Sequence, residues 1–124
     1  MTKPLALFLY EKLLPGGQLV NRLQDLGYRV QPLSDPKMLA DLAQCEKPIL
    51  VLADLEPERN AVCEAIAQLR DNEVTSHIPL IAFASPRNAN LQAAARTAGA
   101  TLVVSDNAIL LHLNQLLEQA LQVD

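Results

Sequence analysis

The feature that most constrains this chain is a five-fold recurrence: a short apolar run, then a segment of helical period. The runs are Leu5–Tyr10, Tyr28–Leu33, Ile49–Ala53, Ile78–Ala84 and Thr101–Val104. The first, third and fourth are nearly continuous, as in strands buried on both faces of a parallel sheet. The second is more polar and carries Pro32, which cannot donate to a ladder and so belongs at an edge. Parallel strands need crossover connections, and these are right-handed. The expected fold is therefore α/β: one doubly wound (βα)5 domain over residues 1–124, with a parallel sheet of order 2-1-3-4-5. Helices 1 and 5 are expected on one face, and helices 2, 3 and 4 on the other.

The intervening segments carry their own start and stop signals. Leu19, Val20, Leu23 and Leu26 share one helical face, and Gly27 ends that helix. Pro15-Gly16-Gly17 reads as a turn leading into it. Ser34-Asp35-Pro36 places a capping side chain before a proline, and Met38, Leu39 and Leu42 line the helix that follows. Val62, Ile66 and Leu69 stripe the third helix. Ser85-Pro86 reads as another capped start, with Leu91, Ala94, Ala95 and Ala98 inward and Gly99 as the stop. Ser105 or Asp106 caps the fifth helix, with Ile109, Leu110, Leu113, Leu116, Leu117, Ala120 and Leu121 inward. On that wheel Leu111 falls outside the apolar arc, as Ala89 and Ala93 do on the fourth helix.

Composition narrows the function. A net charge of −4 and 3% aromatic residues argue against nucleic acid, which needs basic charge and stacking platforms. No run approaches the length of a membrane span, so no membrane partner is expected. The apolar stretch after Lys3 is broken by Glu11 and Lys12, too early for a signal peptide. Cys45 and Cys63 are too few for a disulfide framework. They are expected to be buried or flanked by small apolar residues. A cytoplasmic location is expected. His77 and His112 belong to no motif and are expected at the surface.

Ligands and chemistry in doubly wound sheets gather beyond the carboxyl ends of the strands, at the switch point between strands 1 and 3. Here those ends are Tyr10-Glu11 and Asp54. No phosphate loop, dinucleotide fingerprint, nucleophile elbow or zinc spacing is present. With no nucleophile–base pair and no cofactor loop, the chain is not expected to be an enzyme.

Several motifs stand in register. Leu26-Gly27-Tyr28 closes helix 1, and the run from Lys47 to Pro57 carries Asp54 at the end of a buried strand. Ile78-Pro79-Leu80-Ile81 and Ala98-Gly99-Ala100 follow at the fourth strand and the fourth helix end. Over nearly its whole length the chain thus resembles a response-regulator receiver domain, a flavodoxin-like module of two-component signal transduction. The resemblance implies that Asp54 stands at the phospho-acceptor position. It also implies departures around it. Tyr10-Glu11 replaces a pair of acids that would hold Mg²⁺, and Ala84 replaces a Ser/Thr, with Ser85 one place late. Val103 replaces the strand-5 aromatic, Asp106 the lysine and Asn107 the proline after it.

Phosphoryl transfer to a carboxylate needs cations against the developing charge on the phosphoryl oxygens. Loss of an acid and of the lysine removes most of that neutralisation, and Asp106 adds a like charge. The resemblance is therefore to a pseudo-receiver, a protein-interaction module independent of phosphorylation, with no metal and no cofactor. Two other readings stand beside it. In one, Asp54 accepts a phosphoryl group and Glu11 alone holds Mg²⁺. In the other, the switch-point crevice binds a small ligand or a metal. In receivers the face of helix 4, strand 5 and helix 5 commonly meets partners. That resemblance points to Ala89, Ala93, Val103 and Leu111 as a surface for another protein or a second copy. The competing surface is Leu13-Leu14, read as a loop at the mouth of the acidic pocket.

Overall fold

The computed structural model of the chain describes residues 4–10, 13–55 and 59–121, with backbone alone at 13–16 and 59–60. The elements run β1 (Leu5–Leu9), α1 (Leu13–Asp25), β2 (Arg29–Leu33), a one-turn 3-10 helix (Pro36–Met38), α2 (Leu39–Glu46), β3 (Leu50–Asp54) and α3 (Arg59–Asp71). They continue with β4 (Leu80–Ala84), α4 (Ala89–Ala98), β5 (Leu102–Ser105), α5 (Asp106–Leu111) and α6 (Leu113–Leu121). The sheet has the order β2-β1-β3-β4-β5, and every adjacent pair is parallel. Both the order and the edge position of Pro32 agree with the sequence reading.

All residues of β1, β3 and β4 are buried, which is why their sequences show no polar alternation. One set of side chains, including Leu7, Leu9, Val51, Ala53, Leu80 and Ala82, packs with Leu39, Val62, Ile66, Leu69 and Ala95 of α2, α3 and α4. The alternate set, Ala6, Phe8, Leu50, Leu52, Ile81 and Phe83, packs with Leu19, Leu23, Ile109, Leu113 and Leu117 of α1, α5 and α6. The two helical layers are those expected. A buried leucine or phenylalanine contributes about 1.5–3 kcal/mol, so these two layers carry the stability of the fold.

Local departures from the sequence reading have simple causes. Pro15-Gly16-Gly17 lies inside α1 rather than in a turn before it. A first-turn proline lacks only an N–H that would have had no intrahelical partner. Leu26 falls past the end of α1 and is exposed rather than inward. Met38 is exposed because it closes the 3-10 turn instead of joining α2. Asp35 does cap that turn, accepting from the Lys37 N–H at 3.0 Å, with Pro36 next. Ser85-Pro86 starts a turn, not a helix: the Asn88 N–H bonds the Ser85 carbonyl at 2.9 Å, and α4 begins at Ala89. That start leaves Ala94 exposed and Ala95 buried. The fifth helical segment is interrupted at His112 (φ −121°, ψ 29°), although the His112 N–H still bonds the Ala108 carbonyl. Cys45 is exposed and Cys63 half-buried, so neither cysteine is fully buried. His77 and His112 are exposed, as expected.

The amino edge of the sheet is held by a side chain that the sequence reading passed over. Arg70, in the last turn of α3, donates from Nε to the Gly99 carbonyl at 2.6 Å and from Nη1 to the Ser76 and Ile78 carbonyls, both at 2.8 Å. Its Nη2 donates to Thr101 Oγ1 at 3.1 Å, and that oxygen also accepts from the Leu80 N–H at 3.0 Å. Gly99 ends α4 at φ +119°, a conformation that disfavours any Cβ. A Cβ built there would run into Arg70 Cγ. Burial lowers the guanidinium pKa from its ordinary value.

Candidate functional site

The carboxyl edge of the sheet gathers the residues that the sequence singled out. Asp54 ends β3, the middle strand, and is only 4% exposed. It is aligned with Phe83 of β4. Leu9 is aligned with Ala53, so Tyr10 stands one step on, beside Asp54. By strand alternation Asp54 shares its side of the sheet with Phe8, Tyr10 and Phe83, the side covered by α1, α5 and α6. The rings of Phe8 and Tyr10 lie 4.4 Å apart, centroid to centroid, and those of Phe8 and Phe83 6.0 Å apart. The carboxylate at the strand end is thus framed by an aromatic wall. The Tyr10 N–H is held by the Leu33 carbonyl of β2 at 3.0 Å, which fixes where β1 ends.

Ala84 ends β4, fully buried, and belongs to the opposite core layer. It offers no hydroxyl. The Ser85 hydroxyl, one residue on, accepts from the Arg87 N–H at 3.3 Å and serves the turn into α4. Gln92 of α4 donates from Nε2 to the Ala84 carbonyl at 3.2 Å. It therefore seats an amide on the terminal carbonyl of β4. Nothing in the sequence pattern marked Gln92, since a lone glutamine on a helix carries no motif.

Ser105, not Asp106, is the N-cap of α5: its hydroxyl accepts from the Ala108 N–H at 3.1 Å. Asp106 occupies the first turn of α5, half-buried, where a carboxylate is favourable to the helix dipole. Asp106 follows β5, two strands from Asp54, a backbone separation of roughly 10 Å at the usual strand spacing. The structure therefore brings Tyr10 beside Asp54, and sets Asp106 at the same edge but apart from them. Glu11 lies outside the described residues, as do the side chains of Leu13 and Leu14. The backbone at Leu13 and Leu14 is helical, the first turn of α1, rather than the loop expected.

A receiver-type Mg²⁺ site can be tested against these donors. Such a hard cation takes carboxylates and water in an octahedron. At the described positions Asp54 stands beside the phenol of Tyr10, Ala84 belongs to the opposite layer, and the carboxylate of Asp106 follows β5, two strands away. Among the described residues no group of three or more His, Cys, Asp or Glu is placed to hold a metal ion. The described donors do not fit that site.

On the remaining partner-surface positions, Ala89 and Ala93 are exposed, Val103 is half-buried and Leu111 is 74% exposed. Among the described residues no helix is long and apolar enough to cross a membrane.

A parallel sheet of order 2-1-3-4-5, wound on both faces and carrying a buried carboxylate at the end of its middle strand, defines the flavodoxin-like class of α/β proteins. Solved structures narrow the class. The receiver domain of the sensor histidine kinase PA1611 from Pseudomonas aeruginosa PAO1, which has a magnesium ion in its active-site cleft, superposes with a TM-score of 0.87 at 17% identity, covering 98% of this chain and 100% of that one. The chemotaxis protein CheY4 of Vibrio cholerae gives 0.82 at 16% identity, covering 96% and 99%. A response regulator from Burkholderia multivorans gives 0.70 at 28% identity, covering 94% and 96%. No protein-family model matches the chain, and no curated protein matches it in sequence. The chain has the fold of a response-regulator receiver domain.

Proposed function

We propose that this chain is a non-enzymatic protein-interaction module, a pseudo-receiver that acts without accepting a phosphoryl group. One observation carries the reading: the surroundings of Asp54. A phosphoryl group arriving there would place added negative charge beside the phenol of Tyr10, at a strand edge where Ala84 supplies no hydroxyl and Asp106 carries a like charge. None of these neutralises charge, and stabilising that charge is most of the catalytic task. The test is incubation with a small phosphodonor and Mg²⁺, followed by intact mass. The expected result is no adduct of about 80 Da on wild type. A stoichiometric adduct that disappears in Asp54→Asn overturns the reading and makes Asp54 the acceptor.

The partner is another protein or a second copy of this chain, bound through α4, β5 and α5. Leu111, 74% exposed on α5, and the exposed small side chains of Ala89 and Ala93 on α4 support this surface. An exposed leucine can anchor a partner, and small exposed residues allow close approach of its backbone. Leu111→Asp is expected to weaken association, read by sedimentation and by capture of partners, while costing under about 0.5 kcal/mol of stability. A folded Leu111→Asp variant with unchanged association moves the interface elsewhere.

A further inference from the structure

We propose that Arg70 is a latch that keeps α4 and the start of β5 closed against the rest of the sheet, and that α4 and β5 open as a unit when it is released. Two independent observations lead here. The first is the packing of that flank. All four residues of β5 are only half-buried, and Ala95 is the only fully buried side chain of α4. Leu91 and Ala98 add partial cover. By contrast β1, β3 and β4 are buried along their entire length. Elements with few buried apolar side chains open at lower free energy than the core, in cooperative units. The α4–β5 flank is therefore held by burial less than the three central strands are.

The second observation is what holds it instead. Arg70 belongs to α3, which packs firmly through Val62, Ala65, Ile66 and Leu69. From that anchor its guanidinium reaches the carbonyl that ends α4 (Gly99) and the hydroxyl that precedes β5 (Thr101). The same group ties the Ser76 and Ile78 carbonyls of the segment leading to β4. One planar donor thus joins both ends of the α4–β5 connection to α3. All its acceptors are neutral, three carbonyls and a hydroxyl, so the latch closes by geometry rather than by ion pairing. A planar fork with several fixed donors suits such a role, and an ammonium does not. The glycine at 99 lets the chain pass against the arginine stem, where a Cβ would collide with Cγ.

The experiment is amide hydrogen exchange on the full chain, comparing wild type with Arg70→Met, which keeps much of the apolar stem and removes the donors. The expected result is at least a tenfold acceleration of amides in α4 and β5, with amides of β1 and β3 accelerated several-fold less. Equal acceleration everywhere makes Arg70 a general stabiliser and overturns the latch, as does no acceleration in α4 and β5. Should Arg70→Met fail to fold, Arg70→Lys is read in the same way: it keeps the stem and the charge but lacks the planar fork that spans Gly99 and Thr101, and it leaves the Leu80 N–H bond to Thr101 Oγ1 in place. Selective acceleration then supports the latch, and uniform or absent acceleration refutes it.

Discussion

Substitution of Gly99 by alanine isolates the cost of this close approach. Two effects add in wild type. The φ of +119° disfavours any Cβ, a cost of about 1–2 kcal/mol that a stiffer unfolded chain offsets by roughly 0.5 kcal/mol. The new methyl also displaces Arg70 at Cγ, and its Nε bond to the Gly99 carbonyl, 2.6 Å long, cannot survive that shift intact. Bonds from a charged donor are worth about 1.5–3 kcal/mol each, so losing one or two brings the total to about 3–5 kcal/mol. For a chain of this size that lowers the thermal midpoint by roughly 10–20 °C. In an Arg70→Ala background the collision is gone, and Gly99→Ala is expected to cost only about 1–2 kcal/mol, from backbone conformation alone. The double-mutant cycle, measured by urea unfolding of the four proteins, should therefore show a coupling of about 2–3 kcal/mol. Additivity within about 0.5 kcal/mol would refute the reasoning and leave Gly99 as an ordinary helix stop.

Three further outcomes follow from backbone, titration and exposure. Lys47 caps α2 in the left-handed region, at φ +50°, so Lys47→Gly should raise stability by about 0.5 kcal/mol in urea unfolding despite glycine's added freedom in the unfolded chain. Burial raises the Cys63 thiol and the Tyr28 phenol above their ordinary values. The unfolded chain then gives up these protons first as pH rises, so the stability they contribute is complete below the unfolded thiol pKa and is lost progressively above it. The midpoint should therefore fall in alkaline buffer, less so in Cys63→Ala, and a thiol reagent near neutral pH should modify exposed Cys45 well before Cys63.

The parallel sheet was legible because burial on both faces leaves an unmistakable trace: Leu5–Leu9, Leu50–Ala53 and Leu80–Ala84 hold no polar side chain. Strand order was legible from Pro32, and the position of Asp54 from the end of the third run. The arginine latch was not. In the sequence Arg70 is one more cation at a helix end, as helix dipoles favour, and its partners lie 29 and 31 residues away at Gly99 and Thr101. Only folding brings them together. Leu26, Met38 and Ala94 were also misplaced. For Leu26 and Met38 the reason is that a helical wheel assumes that the helix continues, and they lie where α1 and the 3-10 turn end; Ala94 lies mid-way along α4, one place from the buried Ala95. Around Asp54 the substitutions were visible as letters, but the seating of Gln92 on the Ala84 carbonyl was not, because an amide on a helix face carries no periodic signature.

Pro32 has a bearing on assembly as well as on strand order. The Arg29 N–H bonds the Pro4 carbonyl, and the Leu33 carbonyl accepts from Tyr10, so Arg29, Gln31 and Leu33 turn their peptide groups toward β1. Val30 and Pro32 turn theirs outward. The free flank of β2 therefore offers the N–H of Val30 alone, where an ordinary strand would offer two. Open-ended polymers built through a sheet need two competent edges per molecule, one to give and one to receive. With one of its outward donors removed by the proline, the β2 flank is a poor template, and growth by edge-to-edge addition is disfavoured there.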